Sequence, residues 1–139
     1  MSDKLLEVEI VSPQQQLFKG KAVSVSVPGS LAPFQILYNH APIFSTTDVG
    51  VVKIEDENNN ILGFAVSSGF VEVSNNIVSV VVEQGCSEDE VVEGDIQACL
   101  LKYSKELEII DEADTIRKSN ILNKIKFEQT KLKLLSKSK

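Results

Sequence analysis

The hydrophobic period of this chain changes once, close to Gly85, and this change constrains the fold more than any other feature. Before it, apolar residues alternate with polar ones in short runs such as 23–27, which is the period of half-buried β-strands. After it, apolar residues recur at spacings of three and four, the period of an amphipathic helix. The sequence therefore predicts a β domain over residues 1–85 and a helical segment over residues 86–139.

Turn-forming residues cut the first part of the chain into short apolar runs. The runs that we expect to be strands are 6–11, 17–18, 23–27, 34–37, 43–46, 50–55, 61–66, 70–73 and 77–82. The polar segments 56–60 and 74–76 separate neighbouring runs and are expected to be hairpin loops. Many short strands joined by regular turns are typical of a β-sandwich or a flattened barrel.

The helical segment contains a break that predicts two helices. Residues 87–90 fit a capping box, although the first helix can instead begin near Asp95. The predicted apolar stripes consist of Ile96, Leu100, Tyr103, Leu107 and Ile110 in the first helix, and of Ile121, Leu122, Ile125, Leu132 and Leu135 in the second. The acidic residues 111–114 lie between the stripes and can cap the second helix. We therefore expect an α+β fold in sequence order, a sandwich followed by a C-terminal α-helical hairpin.

Charge is divided unevenly between the two predicted helices. Residues 86–112 carry nine acidic and two basic side chains, whereas residues 113–139 carry two acidic and eight basic ones. If the helices separate, the second one is a basic amphipathic rod that suits an acidic protein surface. Exposed ion pairs contribute only about 0–1 kcal/mol each and are screened by salt, so such a contact would act as a reversible latch. A solvated charged face, or binding to an anionic membrane, explains the same pattern.

Composition and motifs exclude several classes of function. A net charge of −6 argues against nucleic-acid binding, which needs a basic surface. No apolar run approaches the roughly 20 residues of a membrane span, and the N-terminus has no secretory or transit signal, so we expect a complete, soluble, cytoplasmic chain. Cys86 and Cys99 are expected to be free thiols. With His40 as the only histidine, the chain has too few ligands for a zinc site.

No catalytic motif is present in the sequence. There is no phosphate-binding glycine loop, dinucleotide fingerprint or nucleophile elbow. His40 has no carboxylate or nucleophile near it in sequence, and we interpret it as a turn residue at the rim of the sandwich. We therefore expect no catalytic residue, no metal and no cofactor.

Three segments together resemble the epsilon/delta family of rotary proton-translocating ATP synthases. They are Val8-Glu9-Ile10-Val11-Ser12-Pro13 with Leu17-Phe18-Lys19-Gly20; Val27-Pro28-Gly29-Ser30 with Ile36-Leu37, His40-Ala41-Pro42 and Gly50-Val51-Val52-Lys53-Ile54; and Phe64-Ala65-Val66-Ser67-Ser68-Gly69-Phe70-Val71-Glu72-Val73. Each segment is weak evidence alone, but all three lie in the family's order and spacing. The resemblance extends over essentially the whole chain, with a looser match in the helical part.

This resemblance implies a non-catalytic rotor subunit that couples proton flow to ATP synthesis. The sandwich is expected to pack on the gamma subunit and to touch the polar loops of the ring of c subunits. The helical hairpin is expected either to lie against the sandwich or to extend toward the catalytic head. When it is extended, its basic second helix would meet the beta subunits and restrain ATP hydrolysis. The subunit would be peripheral, at the cytoplasmic face of the bacterial plasma membrane or at the matrix face of the mitochondrial inner membrane, and not a homo-oligomer.

Specific contact residues follow from the resemblance and from the charge pattern. The candidates for contact with gamma or the c-ring are Ser30, Leu31, Phe34, Tyr38 and His40, and the latch candidates are Arg117, Lys118, Lys124, Lys126, Lys131 and Lys133. The loop 31–35 lacks the glycine and acidic residues usual in the family, which makes an apolar contact more important there. ATP-binding members carry Ile-Asp-x-x-Arg-Ala where this chain has 92–97, and Arg117 is the only arginine of the chain, so we expect no tight ATP sensing by this subunit. The alternative function is an unrelated β-sandwich adaptor with a partner-binding helical tail.

Overall fold

The computed structural model describes residues 4–137, with side-chain surroundings given as far as residue 135. Residues 1–3 lie outside the described part. They belong to the N-terminal segment for which no targeting signal is expected. The strands are β1 (Leu6–Val11), β2 (Gln16–Val27), β3 (Phe34–Leu37), β4 (Ile43–Thr47), β5 (Gly50–Asp56), β6 (Ile61–Val66), β7 (Gly69–Ser74), β8 (Ile77–Val82) and β9 (Gly85–Ser87). They are followed by a 3-10 turn (Glu88–Glu90) and two helices, α1 (Glu93–Ile109) and α2 (Thr115–Lys137). The predicted sandwich followed by a helical hairpin is confirmed.

The strands pair in the order β4-β7-β8-β1-β2-β5-β6-β9, with β3 also paired to β2. All pairs are antiparallel except β1 with β8. The first half of β2 pairs with β1 as far as Ala22, and β3 takes over the same edge from Ser24 onward. This single long strand therefore belongs to both layers of the sandwich.

The prediction of two separate runs at 17–18 and 23–27 is wrong, because β2 is one strand of 12 residues. Gly20, which lies between the two predicted runs, stays extended and pairs with Val8 of β1. The short strand β9 was also missed. Its Cys86 pairs with Ala65 of β6, so the sheet continues past the predicted boundary at residue 85. The division into domains at that residue remains a prediction.

Aliphatic side chains fill the space between the two layers. The fully or nearly fully buried members of this core are Leu6, Val8, Ile10, Ala22, Val25, Val27, Ile36, Val52, Ile54, Phe64, Val66, Val71, Val73, Val78, Val80 and Val82. Their alternation along β1, β5, β7 and β8 is the pattern from which the strands were predicted. Burial of one such Val, Leu, Ile or Phe side chain stabilises the fold by about 1.5–3 kcal/mol. This core is the main source of stability for the sandwich.

Asparagine and aspartate form the two predicted hairpin loops. Asn75 and Asn76 both have positive φ, 52° and 64°, as a two-residue type I′ turn requires, and Asn tolerates this conformation. In the other loop, Asp56 Oδ1 accepts the backbone N–H groups of Asn58 and Asn60, each at 2.9 Å. The hydrogen bond from Asn60 holds the pKa of the Asp56 carboxyl below its usual range. Both loop predictions are confirmed.

The helix-capping predictions are confirmed in part. Glu90 Oε1 accepts the backbone N–H of Ser87 at 3.0 Å, but this pair starts the 3-10 turn rather than α1. At the other break, Asp114 Oδ1 accepts the backbone N–H of Arg117 at 3.1 Å, and Asp111 Oδ1 accepts that of Ala113 at 3.0 Å. The acidic segment therefore caps the start of α2, as expected from its position.

Gly69 begins β7 and lies directly beside the backbone of β8, where it pairs with Val82. A Cβ atom at this position would clash with the Val81 carbonyl oxygen and lie 2.8 Å from the Val82 Cα. Because backbone atoms cannot move there without breaking strand pairing, we expect Gly69→Ala to lower the free energy of unfolding by about 2–3 kcal/mol. Urea unfolding measures this change from the shift in midpoint.

Gly94→Ala in α1 is the matched control for this glycine. A Cβ atom there has no neighbour within 4 Å, and Ala favours the helix by up to about 1 kcal/mol. The control should therefore unfold at the same urea concentration as the parent or at a higher one. Equal destabilisation by the two substitutions would contradict the proposed backbone clash.

Candidate functional site

The helix α2 lies on the outer face of β5 and β6. Phe127, Thr130 and Leu134 fall at spacings of three and four, so they share one face of the helix, and all three are buried. Phe127 and Leu134 form a second apolar cluster with Ala65 of β6, separate from the core between the layers. Val49, Val51, Cys86 and Val91 pack around this cluster. We call this contact region the α2 seat.

A polar group borders the α2 seat. Glu128 is only 7% exposed, and its carboxylate lies 2.9 Å from Lys131 Nζ. The same ammonium group lies 4.7 Å from the centre of the Phe127 ring. Burial of a carboxylate is costly unless a cation or hydrogen-bond donors compensate it. Lys131 therefore compensates the buried Glu128 carboxylate at the border of the seat.

The remaining latch candidates lie on the exposed part of α2. Arg117, Lys118, Lys126 and Lys133 are exposed, and so is Lys124, whose Nζ lies 5.8 Å from the centre of the Tyr103 ring on α1. Such a cation–π contact at an exposed site contributes about 0.5–1 kcal/mol. A set of basic side chains is thus exposed on the surface of α2.

The two helices meet along the predicted stripes, with one exception. Ile96 and Ile121 are buried, and the other stripe residues of both helices are partly buried apart from Leu122. The assignment of Leu122 to the stripe is wrong, because it lies about 100° around the helix from Ile121. The second apolar face of α2, carried by Phe127 and Leu134, was missed. Only a helix that contacts two surfaces at once needs such a second face.

Two of the predicted contact residues lie in the loop before β3 and differ in exposure. Leu31 is fully exposed, at 104% of the reference value, whereas Phe34 packs against the core and against Gly29. Ser30 ties the loop to β4, since its Oγ accepts the Thr46 hydroxyl at 2.9 Å and its N–H donates to the Thr46 carbonyl oxygen at 3.0 Å. Phe34 thus anchors the loop and Leu31 is presented to other molecules.

Tyr38 and His40 lie at the opposite end of β4 from Ser30. Their turn is fixed to the β7–β8 hairpin, because Asn76 Oδ1 accepts the backbone N–H of Asn39 at 2.6 Å. His40 Nδ1 lies 2.7 Å from the Ala41 carbonyl oxygen, which makes it a donor within its own turn. The five predicted contact residues therefore form two separate groups rather than one site.

An exposed aromatic pair was missed by the sequence analysis. Phe44 of β4 and Phe70 of β7 stack with ring centres 5.2 Å apart and an interplanar angle of 28°. Phe44 is 63% exposed. Both rings line a shallow depression that Ser30 and Thr46 also line, and we call these four residues the aromatic surface. Alternation within 43–46 is the only sequence signal for it, and that signal does not show which residue faces outward.

Two kinds of site are absent from residues 4–137. No group of three or more His, Cys, Asp or Glu side chains there is arranged to hold a metal ion. No helix in this part of the chain is long and apolar enough to cross a membrane.

The architecture is that of a protein that binds other protein chains through two surfaces. A sandwich with an exposed aromatic surface, followed by a helical hairpin with an exposed basic side, is suited to docking with other protein chains. Residues 5–87 match the family described as ATP synthase, Delta/Epsilon chain, beta-sandwich domain. The chain belongs to this ATP synthase delta/epsilon family.

Similar proteins extend the match beyond the sandwich. The ATP synthase epsilon chain of Leptospira borgpetersenii serovar Hardjo-bovis is 36% identical over 121 residues, which cover 87% of this chain and 90% of the relative. The ATP synthase epsilon chain of the Cyanophora paradoxa cyanelle is 31% identical over 129 residues, which cover 92% of this chain and 95% of the relative. The helical hairpin is therefore part of the shared sequence.

Solved structures show the same fold at low sequence identity. A chain of the Euglena gracilis mitochondrial ATP synthase OSCP/F1/c-ring structure aligns with a TM-score of 0.71 and 15% identity, over 90% of this chain and 76% of that chain. A chain of the Tetrahymena thermophila mitochondrial ATP synthase central stalk/c-ring structure aligns with a TM-score of 0.54 and 17% identity, over 90% and 96%. These alignments support the order of sandwich and helices.

Family membership confirms the predicted class of function. The chain is an epsilon-type, non-catalytic component of ATP synthase, a membrane-associated complex. The alternative of an unrelated sandwich adaptor is excluded.

Alkaline pH should weaken the α2 seat through Cys86. Burial raises the pKa of the Cys86 thiol, so the folded chain favours the protonated form. This stabilisation is fully present below the pKa of an unfolded thiol, about 8.5, and is lost as pH rises through the folded value. We expect the melting temperature of the parent chain, relative to Cys86→Ala, to fall as pH rises above about 8.5, as measured by calorimetry.

Cys99→Ala is the control for this pH dependence. It retains Cys86 and should show the same pH dependence as the parent chain. A melting-temperature difference between parent and Cys86→Ala that stays constant over this pH range would contradict the role assigned to the buried thiol.

Proposed function

We propose that this chain is a rotor subunit of the central stalk, in which the sandwich docks to the stalk and α2 restrains ATP hydrolysis. The observation that carries the proposal is the separation of two exposed surfaces: the aromatic surface on the sandwich, and the basic side of α2. The aromatic surface can bind a permanent partner, while the basic side of α2 binds and releases a second partner. The subunit would lie at the cytoplasmic face of a bacterial plasma membrane, held there by the complex, with one copy in each rotor.

The gamma subunit is the proposed partner of the aromatic surface. Phe44 and Phe70 present stacked rings on neighbouring strands of a rigid sheet, and rigid aromatic side chains lose little conformational entropy when they are buried. Burial of one Phe side chain gains about 1.5–3 kcal/mol. A few such contacts suffice for a stable position on the stalk.

The loop with Leu31 is the proposed contact with the c-ring. Leu31 is fully exposed at the end of a loop that Ser30 and Phe34 hold in place. The neighbouring residues 32–35 carry no charge, so this contact would depend on apolar burial more than on ion pairs. Tyr38 and His40, at the other end of β4, remain proposed contacts with gamma or the c-ring.

Phe44→Gln should weaken binding to the gamma subunit. Loss of the buried ring removes about 1.5–3 kcal/mol, so we expect the dissociation constant for a head of alpha, beta and gamma subunits to rise by about tenfold or more. Ile61→Gln is the matched control, because Ile61 is 64% exposed and Phe44 is 63% exposed. Biolayer interferometry compares both variants with the parent. An equal effect of the two substitutions would reject the aromatic surface as the docking site.

The exposed basic side of α2 is the proposed latch on the beta subunits. Arg117, Lys118 and Lys126 are exposed on α2, whereas Lys131 is paired with Glu128 beside the seat. An acidic surface on the beta subunits would attract the exposed set once α2 leaves the sandwich. Because exposed charges are screened, this restraint should weaken as the salt concentration rises.

Neutralising the exposed basic residues should relieve the restraint on ATP hydrolysis. We expect Arg117→Gln, Lys118→Gln and Lys126→Gln together to leave binding to the head unchanged and to raise its ATP hydrolysis rate at low salt. Steady-state hydrolysis by the alpha, beta and gamma head with added subunit measures this effect. The control, Lys102→Gln with Lys105→Gln, changes exposed charges on α1. With this control added, the head should hydrolyse ATP at the same rate as with the parent subunit. If the triple variant still restrains ATP hydrolysis, the exposed basic residues of α2 are not the latch. The proposal that the chain is a stalk subunit would stand.

A further inference from the structure

A glycine in the middle of β6 lies under the C-terminal part of α2. Gly63 pairs with Lys53 of β5, and the neighbouring residue on its outer face is Ala65. Glycine inside a strand weakens the strand, because it restricts the chain least in the unfolded state and has no side chain to pack. Its presence at this position therefore needs a packing reason.

Leu134 supplies that reason. A Cβ atom built on Gly63 would lie 2.7 Å from Leu134 Cδ1 and 3.9 Å from its Cγ. The missing side chain of Gly63 thus leaves a notch, and the Leu134 side chain occupies it. Leu134 is 4% exposed, so the fit buries it almost completely.

The notch sets how closely α2 approaches the sheet. Phe127 and Ala65 supply apolar burial elsewhere in the seat, but only Gly63 allows the Leu134 side chain to come this near to the backbone of β6. A single methyl group can be avoided by rotation of the Leu134 side chain, because the nearest atom is its flexible end. A branched side chain fills more of the space and leaves Leu134 nowhere to rotate.

We infer that Gly63 and Leu134 form a notch and knob that set the balance between docked and undocked α2. The inference rests on the proposed function only for its consequence, which is how readily α2 reaches a second partner. A larger side chain at position 63 fills the notch and favours the undocked helix. A smaller side chain at position 134 then restores the fit.

Cys86 reports on the seat without any added label. It packs against the Ala65, Phe127 and Leu134 cluster and pairs with Ala65 across β6 and β9. The docked helix restricts access to the thiol, and burial raises its pKa, so both effects slow its reaction with a thiol reagent. With Cys99 replaced by Ala, Cys86 is the single cysteine of the chain.

The test measures the rate at which Ellman's reagent modifies Cys86 in full-length Cys99→Ala chains. We expect Gly63→Val to raise the rate by about tenfold, which corresponds to a shift of about 1.4 kcal/mol in the docking equilibrium. Leu134→Ala alone should also raise the rate, because it leaves a cavity in the seat. The two substitutions together should react more slowly than either alone, because the new side chain fills the space that Leu134 leaves.

Control variants distinguish the undocking of α2 from general unfolding of the chain. Val is favoured in strands, so Gly63→Val should retain the far-ultraviolet circular dichroism of the parent. Gly63→Ala, with its smaller side chain, provides a milder second variant and should give an intermediate rate. Gly94→Ala, which meets no neighbour, should react at the parent rate.

The outcomes distinguish this inference from the proposed function. A parent-like rate in Gly63→Val, or rates in the double variant that multiply instead of compensating, would overturn the notch and knob. Hydrolysis by the alpha, beta and gamma head is measured with the same variants. Compensating thiol rates with unchanged hydrolysis would support the notch and knob and contradict restraint by α2.

Discussion

The packing of α2 on the outer face of β5 and β6 is the contact on which the arrangement of the molecule depends. The sandwich has its own core between the layers, but β6 is also buried on its outer face, where Ala65 lies beneath Phe127 and Leu134. The seat is small and apolar, and the ion pair between Lys131 and the buried Glu128 lies at its border. Such a contact is strong enough to order a helix and weak enough to open, because it involves few large side chains.

This arrangement places the surfaces proposed for permanent and for reversible contacts on different parts of the chain. The aromatic surface lies on a sheet fixed by strand pairing, and the loop of Leu31 is tied to β4 by Ser30. The exposed basic residues lie on α2, which is held on the sandwich by side-chain packing and not by strand pairing. A subunit that stays on a rotating stalk and also responds to the state of the enzyme needs this combination, and membership of the ATP synthase delta/epsilon family is consistent with it.

Patterns that are local in the sequence predict much of the fold. The remaining features depend on tertiary contacts. Alternating valines and asparagine turns give the strands and hairpins, because period and turn chemistry are local properties. The continuity of β2 through Gly20 depends on its pairing with β1, which no local pattern encodes. For the site, sequence grouped Leu31 with Phe34, since both are apolar, and only the fold shows that one is exposed and the other anchored. The aromatic surface was missed for the same reason.

The most direct test of the account is ATP hydrolysis with α2 held on its seat by a disulfide. Gly63→Cys and Leu134→Cys, with Cys86 and Cys99 replaced by Ala, supply the two thiols. Leu134 Cγ, the position that a cysteine Sγ would take, lies 3.9 Å from the Cβ position on Gly63, so a small adjustment allows the bond. The account predicts that the oxidised chain still binds the alpha, beta and gamma head but no longer restrains hydrolysis, and that reduction restores the restraint. Equal restraint by the oxidised and reduced chains would contradict it.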